Sequence, residues 1–90
     1  MGTFHQGKHA LHGITVVVGT AGDELYVGRC DDVDERLVVL LDVAVHRPED
    51  GEASAWLERA ARFGVWPEHR RLAIDRQRVT SIRPLGEISP

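Results

Sequence analysis

Histidines at the N-terminus are the first side chains whose spacing suggests chemistry. His5, His9 and His12 stand four and three positions apart, so a helix here would carry all three imidazoles on one side. Neutral imidazole nitrogens at this spacing are suitable ligands for a transition metal. Gly7 and Gly13 weaken such a helix, and a solvated N-terminal segment without metal is the alternative.

A second possible metal or polar site lies in the most apolar stretch of the chain, residues 37–46. If this stretch is a strand, Asp42 and His46 lie on the same face, two pleats apart. A carboxylate and an imidazole at this spacing can bind a metal together. An ordinary pair of surface side chains is the alternative.

The remaining reactive groups form no recognisable catalytic arrangement. The acids at 31–35 crowd an expected hairpin turn, which is typical of a solvated turn. Cys30 is the single cysteine, and its place in an apolar pattern predicts a buried thiol rather than a nucleophile. The sequence contains no nucleophile elbow, glycine-rich phosphate loop or paired metal-ligand motif. We therefore expect a non-catalytic protein without a cofactor.

Length and composition predict one domain over residues 1–90. The chain has 90 residues, of which 42% are hydrophobic, a normal share for a globular domain and too high for a disordered one. No apolar run approaches the roughly 20 residues of a membrane span. The N-terminal segment 1–13 lacks the apolar centre of a signal peptide, so we expect a cytoplasmic protein.

Charge is distributed unevenly along the chain. The formal net charge of −3 argues against a general nucleic-acid binder, which normally has a basic surface. Arginines nevertheless gather in the last third of the chain, where they could form a basic rim that holds RNA through its phosphates. The candidate RNA-binding arginines are Arg70, Arg71, Arg76, Arg78 and Arg83.

Residues 14–46 predict three consecutive β-strands joined by tight turns. The segments ITVVVG, LYVGRCDDV and LVVLLDVAVH are rich in β-branched residues, and Gly22–Asp23 supplies turn chemistry between the first two. Gly28 inside the second strand predicts a bulge or a close approach of another backbone. The apolar phase slips between Cys30 and Val33, which predicts a bulge near Asp31–Asp32.

Residues 52–63 predict an amphipathic helix, and residues 70–84 predict the last two strands. The helix would end at Gly64 and cover the strand-3 face that carries Val38 and Leu40. A subunit contact is the alternative use of these surfaces. We expect Trp66 to pack where the helix meets the sheet. The residues expected under the helix or in an interface are Val38, Leu40, Trp56, Ala60 and Phe63.

The predicted fold is mainly β, a small five-stranded barrel with one helix inserted between strands 3 and 4.

Two segments resemble the paired motifs of the Sm-like family, which includes the bacterial host-factor RNA chaperones. The first motif begins with a glycine and a hydrophobic residue two positions later, which Gly28 and Cys30 match. It continues with a hydrophobic residue followed by Asp and then with alternating hydrophobic residues, which are matched by Val33–Asp34, Leu37, Val39 and Leu41. Ile74, Val79 and Ile82 resemble the second motif, and the Ile82–Arg83–Pro84 ending is similar to that of the bacterial members. The resemblance implies an Sm- or SH3-like barrel and a ring-shaped or dimeric assembly.

The residues with which the family contacts RNA are mostly replaced. Val38 stands where the family has a base-reading asparagine, and Asp75–Arg76 stands where it has Arg-Gly. Only the aspartate, Asp34, is retained, and the resemblance implies that it is a candidate RNA-binding residue. A valine cannot read a base edge, and Asp75 would repel phosphate. We therefore expect a homo-oligomeric binding or assembly module, with RNA binding and histidine-based metal binding as alternatives.

Overall fold

The computed structural model describes residues 10–87, and these residues form one open antiparallel sheet with a single α-helix. The strands are β1 (Thr15–Thr20), β2 (Leu25–Val33), β3 (Leu37–His46), β4 (His69–Asp75) and β5 (Val79–Pro84), and α1 spans Ala53–Phe63. The strand order is β4-β3-β2-β1-β5. Short 3₁₀ turns occupy Pro48–Asp50, Arg76–Arg78 and Leu85–Glu87. A mainly β domain with one helix between the third and fourth strands is therefore confirmed.

The two faces of the sheet carry separate apolar clusters. The inner cluster is built by buried side chains of β1 to β4, namely Val16, Val18, Cys30, Val38, Leu40, Val43 and Ile74. The outer cluster joins the opposite face of β1 and β2 to the helix and the C-terminal 3₁₀ turn, through Val17, Val27, Leu57, Ala60 and Leu85. Because β1 contributes to both clusters, Val16, Val17 and Val18 are all buried, and their β-branched side chains suit a strand covered on both faces.

A bulge in the middle of β3 changes which side chains face inward. Val27 pairs with Ala44 and Arg29 pairs with Leu41, so two β3 residues oppose Gly28 alone. Asp42 is one of these two, and its φ of 52° places it in the left-handed region, which aspartate tolerates better than most residues. The alternation of side chains therefore reverses at Asp42.

Gly28 is required by this bulge. A Cβ atom at position 28 would lie 3.0 Å from the Leu41 carbonyl oxygen, 3.1 Å from Val43 Cγ2 and 3.2 Å from Leu40 Cβ. The prediction of a close backbone approach at Gly28 is thus confirmed. A second register shift between Cys30 and Asp32 leaves Asp31 as the extra residue of β2, which confirms the bulge predicted at Asp31–Asp32.

The prediction that Val38 and Leu40 lie under the helix is wrong, because the alternation of side chains reverses at Asp42. Both side chains are fully buried in the inner cluster with Ile74, so they neither lie under the helix nor contribute to an exposed interface. Beyond the bulge, Ala44 and His46 lie on the helix side instead, where Ala44 lines a cleft with Trp56 and the His46 ring contacts the Trp56 indole.

The end of α1 also differs from the predicted pattern. Ala60 is buried and Trp56 packs partly against the outer cluster, as expected for helix-covering residues. Phe63, however, is 79% exposed. Gly64 has a φ of 82° and donates its N–H to the Ala60 carbonyl, so the chain reverses there. Val65 then packs against the cluster, whereas Phe63 and Trp66 remain outside it.

Candidate functional site

The two edge strands are the most prominent candidate interaction surfaces. Within residues 10–87, β4 pairs only with β3 and β5 pairs only with β1. The outward backbone N–H and C=O groups of both strands therefore lack a strand partner in the described chain, and such edges are templates for pairing with another chain. The two strands have similar lengths, seven and six residues.

The two edges differ in charge. Strand β4 begins with the exposed residues His69, Arg70 and Arg71. Strand β5 presents the exposed neutral residues Thr80 and Ser81 before Arg83. The β4 edge therefore carries cations, which are destabilising when they lie directly opposite like charges across a strand pair, whereas the start of the β5 edge carries neutral hydroxyls.

Asp34 shapes the turn between β2 and β3. Its Oδ1 accepts hydrogen bonds from the backbone N–H groups of Arg36 at 2.7 Å and Leu37 at 2.8 Å. These hydrogen bonds, with that of Leu37 the larger influence, lower the pKa of the Asp34 carboxyl below its usual value. The Asp34 carboxylate, which was a candidate RNA contact, therefore accepts the hydrogen bonds that shape this turn. Asp34 thus has a structural role.

The β2–β3 turn and the β4–β5 connection meet in an acidic cleft. Its lining includes Asp34, Glu35 and Asp75, together with Arg36. The backbone N–H of Arg76 donates to the Arg36 carbonyl at 2.9 Å and ties the two connections together. Three carboxylates against one guanidinium disfavour a phosphate backbone at this position.

The candidate RNA-binding arginines are distributed over β4, the following 3₁₀ turn and β5. Arg70 and Arg71 lie on β4, and Arg83 lies on β5 at the opposite end of the strand order. Arg76 is half-buried in the 3₁₀ turn. Arg78 is paired with Glu24 at 3.1 Å, which offsets its charge.

The candidate metal ligands within residues 10–87 do not form a metal site. His5 and His9 lie outside the described residues, while His12 Nδ1 lies 2.6 Å from the Asp31 carbonyl oxygen. Asp42 pairs with Arg29 at 3.4 Å, and His46 is buried against Trp56. Within residues 10–87 no group of three or more His, Cys, Asp or Glu side chains has the geometry to hold a metal ion.

Cys30 lies in the inner cluster and is 1% exposed. Burial is the main cause that raises the pKa of its thiol, and the neighbouring carboxylates of Asp32 and Asp31 raise it further. A buried protonated thiol is a poor nucleophile. The expectation of a buried, small hydrophobic side chain is confirmed.

A cleft of about 330 Å³ lies between the end of α1 and the sheet. Its walls are mainly apolar and come from β3, α1 and the loop that follows α1, through Ala44, Val45, Trp56, Ala60, Val65 and Trp66. Trp66 is 91% exposed, which overturns the expectation that it packs at the junction of helix and sheet. The sequence offers one cue to this region: two large aromatic residues flank Gly64–Val65.

Comparison with known proteins supports the fold alone. No protein-family model matches the chain, and no curated protein matches it. Among solved structures, a chain in the crystal structure of the NatC complex bound to CoA aligns with a TM-score of 0.59 and 16% sequence identity, covering 93% of this chain and 88% of that one. Within the part of the chain that the structure describes, no helix has the length and apolar character needed to cross a bilayer.

Proposed function

We propose that this chain is a non-catalytic assembly module with an Sm-like barrel, and that it forms homo-oligomers by pairing β4 of one copy with β5 of the next. The observation that carries the proposal is the presence of two unpaired edges of similar length on one small sheet. Joining them would extend the sheet from one copy to another and satisfy the outward backbone groups of both strands.

Charge supports the pairing of unlike edges. An antiparallel contact of two β4 edges that is centred on Arg70 and Arg71 would place these arginines near the same residues of the other copy, and like charges across strands are destabilising. The β5 edge offers Thr80 and Ser81, which are uncharged. The arginines of β4 thus oppose self-pairing of that edge while leaving the contact with β5 open.

An interface between unlike edges repeats with every added copy. Such a head-to-tail contact produces a ring when the rotation between copies closes, and a filament when it does not. The proposed module therefore assembles into more than a dimer. It offers binding partners several copies of the same surface.

The experiment is size-exclusion chromatography with light scattering on two variants of opposite charge. We expect the wild type to elute at a multiple of 10.0 kDa. In a parallel contact of the two edges that sets Arg70 and Arg71 opposite Thr80 and Ser81, Thr80→Lys puts a cation opposite the β4 arginines and should shift the mass toward the monomer. Thr80→Glu, the matched control, should preserve or strengthen assembly. A wild-type monomer at high concentration, or equal effects of the two variants, would reject the proposal.

A further inference from the structure

Two large aromatic side chains stand almost fully in solvent next to the cleft at the end of α1. Phe63 is 79% exposed and Trp66 is 91% exposed, and the two are separated only by Gly64 and Val65. The apolar cleft of about 330 Å³ opens beside them. We call Phe63, Trp66 and this cleft the aromatic patch. Exposed aromatic side chains beside a concave apolar surface are typical of protein interaction sites.

The surroundings of the aromatic patch are basic although the chain as a whole is acidic. Residues 53–71 contain four arginines and two glutamates, against a net charge of −3 for the whole chain. One of these glutamates, Glu68, also lines the cleft, and its carboxylate is bound by Arg47 at 3.2 Å. The four arginines, which are Arg59, Arg62, Arg70 and Arg71, have no acidic partner within residues 10–87.

Arg59 connects the basic charge to the cleft. It lines the cleft together with Trp56 and Trp66, and Arg62 follows in the last turn of the helix. Arg62 stabilises the negative end of the helix dipole, but Arg59 lies a turn earlier and gains less from it. An arginine that lines an apolar cleft without an acidic partner can bind the carboxylate of a ligand whose neighbouring apolar side chain enters the cleft.

We propose that the aromatic patch binds an acidic peptide segment of another protein, in which a large apolar side chain enters the cleft and flanking Asp or Glu residues contact Arg59 and Arg62. This surface lies on the helix side of the sheet and does not depend on pairing of the β4 and β5 edges. An experiment that rejects one of the two proposals therefore leaves the other unaffected.

The same observations disfavour two other occupants. A second copy docked symmetrically on the patch would bring Arg59 and Arg62 of both copies together, and their repulsion would oppose the contact. Single-stranded RNA would gain stacking on Trp66, but the aliphatic side chains of Ala44, Val45 and Val65, which line the cleft, offer no hydrogen bond to a base edge.

The test is a display selection of random dodecapeptides against the full chain. We expect the enriched peptides to combine Asp or Glu with Leu, Phe or Met. Trp66→Ala and Arg59→Glu should each weaken binding of these peptides by about tenfold or more, as for a hot-spot residue. Arg36→Glu is the matched control for charge, since Arg36 lies in the β2–β3 turn at the end of β3 farther from α1, and it should leave binding unchanged.

Reversing the charge makes the test specific. A second selection on Arg59→Glu/Arg62→Glu should enrich basic peptides instead of acidic ones, because charge sets partner choice. Both side chains are exposed, so we expect the variants to remain folded.

Four results would overturn the proposal. The first two are a selection that does not enrich acidic and apolar peptides, and selected peptides that bind Trp66→Ala as tightly as the wild type. The other two are self-association of the chain that Trp66→Ala abolishes, and RNA binding that depends on Trp66.

Discussion

The imidazole of His46 lies against the indole of Trp56, with ring centroids 5.1 Å apart and ring planes inclined by 44°. This contact joins the last residue of β3 to the first turn of α1, so it fixes the helix over the outer face of the sheet. His46 is 2% exposed, and neither of its ring nitrogens has a hydrogen-bond partner within residues 10–87. Shape and aromatic contact therefore stabilise this position, while its polar atoms oppose folding.

His46→Leu should stabilise the protein. The substitution removes two buried polar atoms and keeps an apolar side chain of similar size against Trp56, so we expect the free energy of unfolding to rise by about 1 kcal/mol. His46→Ala should lower it by about 2 kcal/mol, because it leaves a cavity beside Trp56. Urea denaturation of both variants measures these changes. A loss of stability in His46→Leu would contradict the cost that we assign to the buried ring nitrogens.

Gly28→Ala should destabilise the fold by about 1–3 kcal/mol, because the added methyl group would press on the backbone of Leu41 at the β3 bulge. Gly86→Ala is the matched control, since no atom lies within 4 Å of the added Cβ, and it should change stability by less than about 0.5 kcal/mol. Thermal unfolding of the two variants compares them directly. Equal stability would mean that the bulge does not need a glycine at position 28.

Asp34 should make stability depend on acidic pH. Its pKa is lowered from the usual 3.8 by the N–H groups of Leu37 and Arg36, so its stabilising contribution is present above that value and is lost as the pH falls through the lower pKa of the folded state. Asp34→Asn keeps an acceptor oxygen without a titrating group. In urea denaturation from pH 6 to pH 2, the difference in free energy of unfolding between the wild type and Asp34→Asn should become smaller in acid. A difference that stays constant over this range would contradict the role of Asp34.

Cys30 should be unreactive in the folded protein. Burial and the nearby carboxylates raise the pKa of its thiol above the usual 9.0, so little thiolate forms at neutral pH. Iodoacetamide should modify Cys30 rapidly in urea and much more slowly in buffer, as followed by mass spectrometry. Equal rates would place the thiol at the surface, in contradiction to its 1% exposure.

The alternation of apolar residues was enough to predict the strands, and the spacing of Trp56 and Ala60 was enough to predict the helix and its buried side. The assignment of all even-numbered β3 residues to one face failed, because a bulge at Asp42 adds one residue to β3 and reverses the alternation, so that Val38 and Leu40 face away from the helix side that carries Ala44 and His46. No apolar pattern marks that position, although Gly28 across the strand pair predicted a close approach.

The aromatic patch escaped prediction for a related reason. Periodicity places Phe63 on the same side of the helix as Trp56 and Ala60, but Gly64 reverses the chain and Val65 packs against the outer cluster. Hydrophobicity alone then suggests that Trp66 is buried, whereas the loop leaves it in solvent. The direction of a loop depends on backbone geometry after the helix, which the residue types do not specify.

Native mass spectrometry of the purified protein tests the proposed assembly most directly, since it counts the copies in each complex. Pairing of β4 with β5 predicts one closed species of three or more copies, or a ladder of increasing copy number if the contact does not close. Thr80→Lys should convert this population to monomer, and Thr80→Glu should not. A monomer alone, or a dimer that Thr80→Lys leaves intact, would contradict assembly through the two edges.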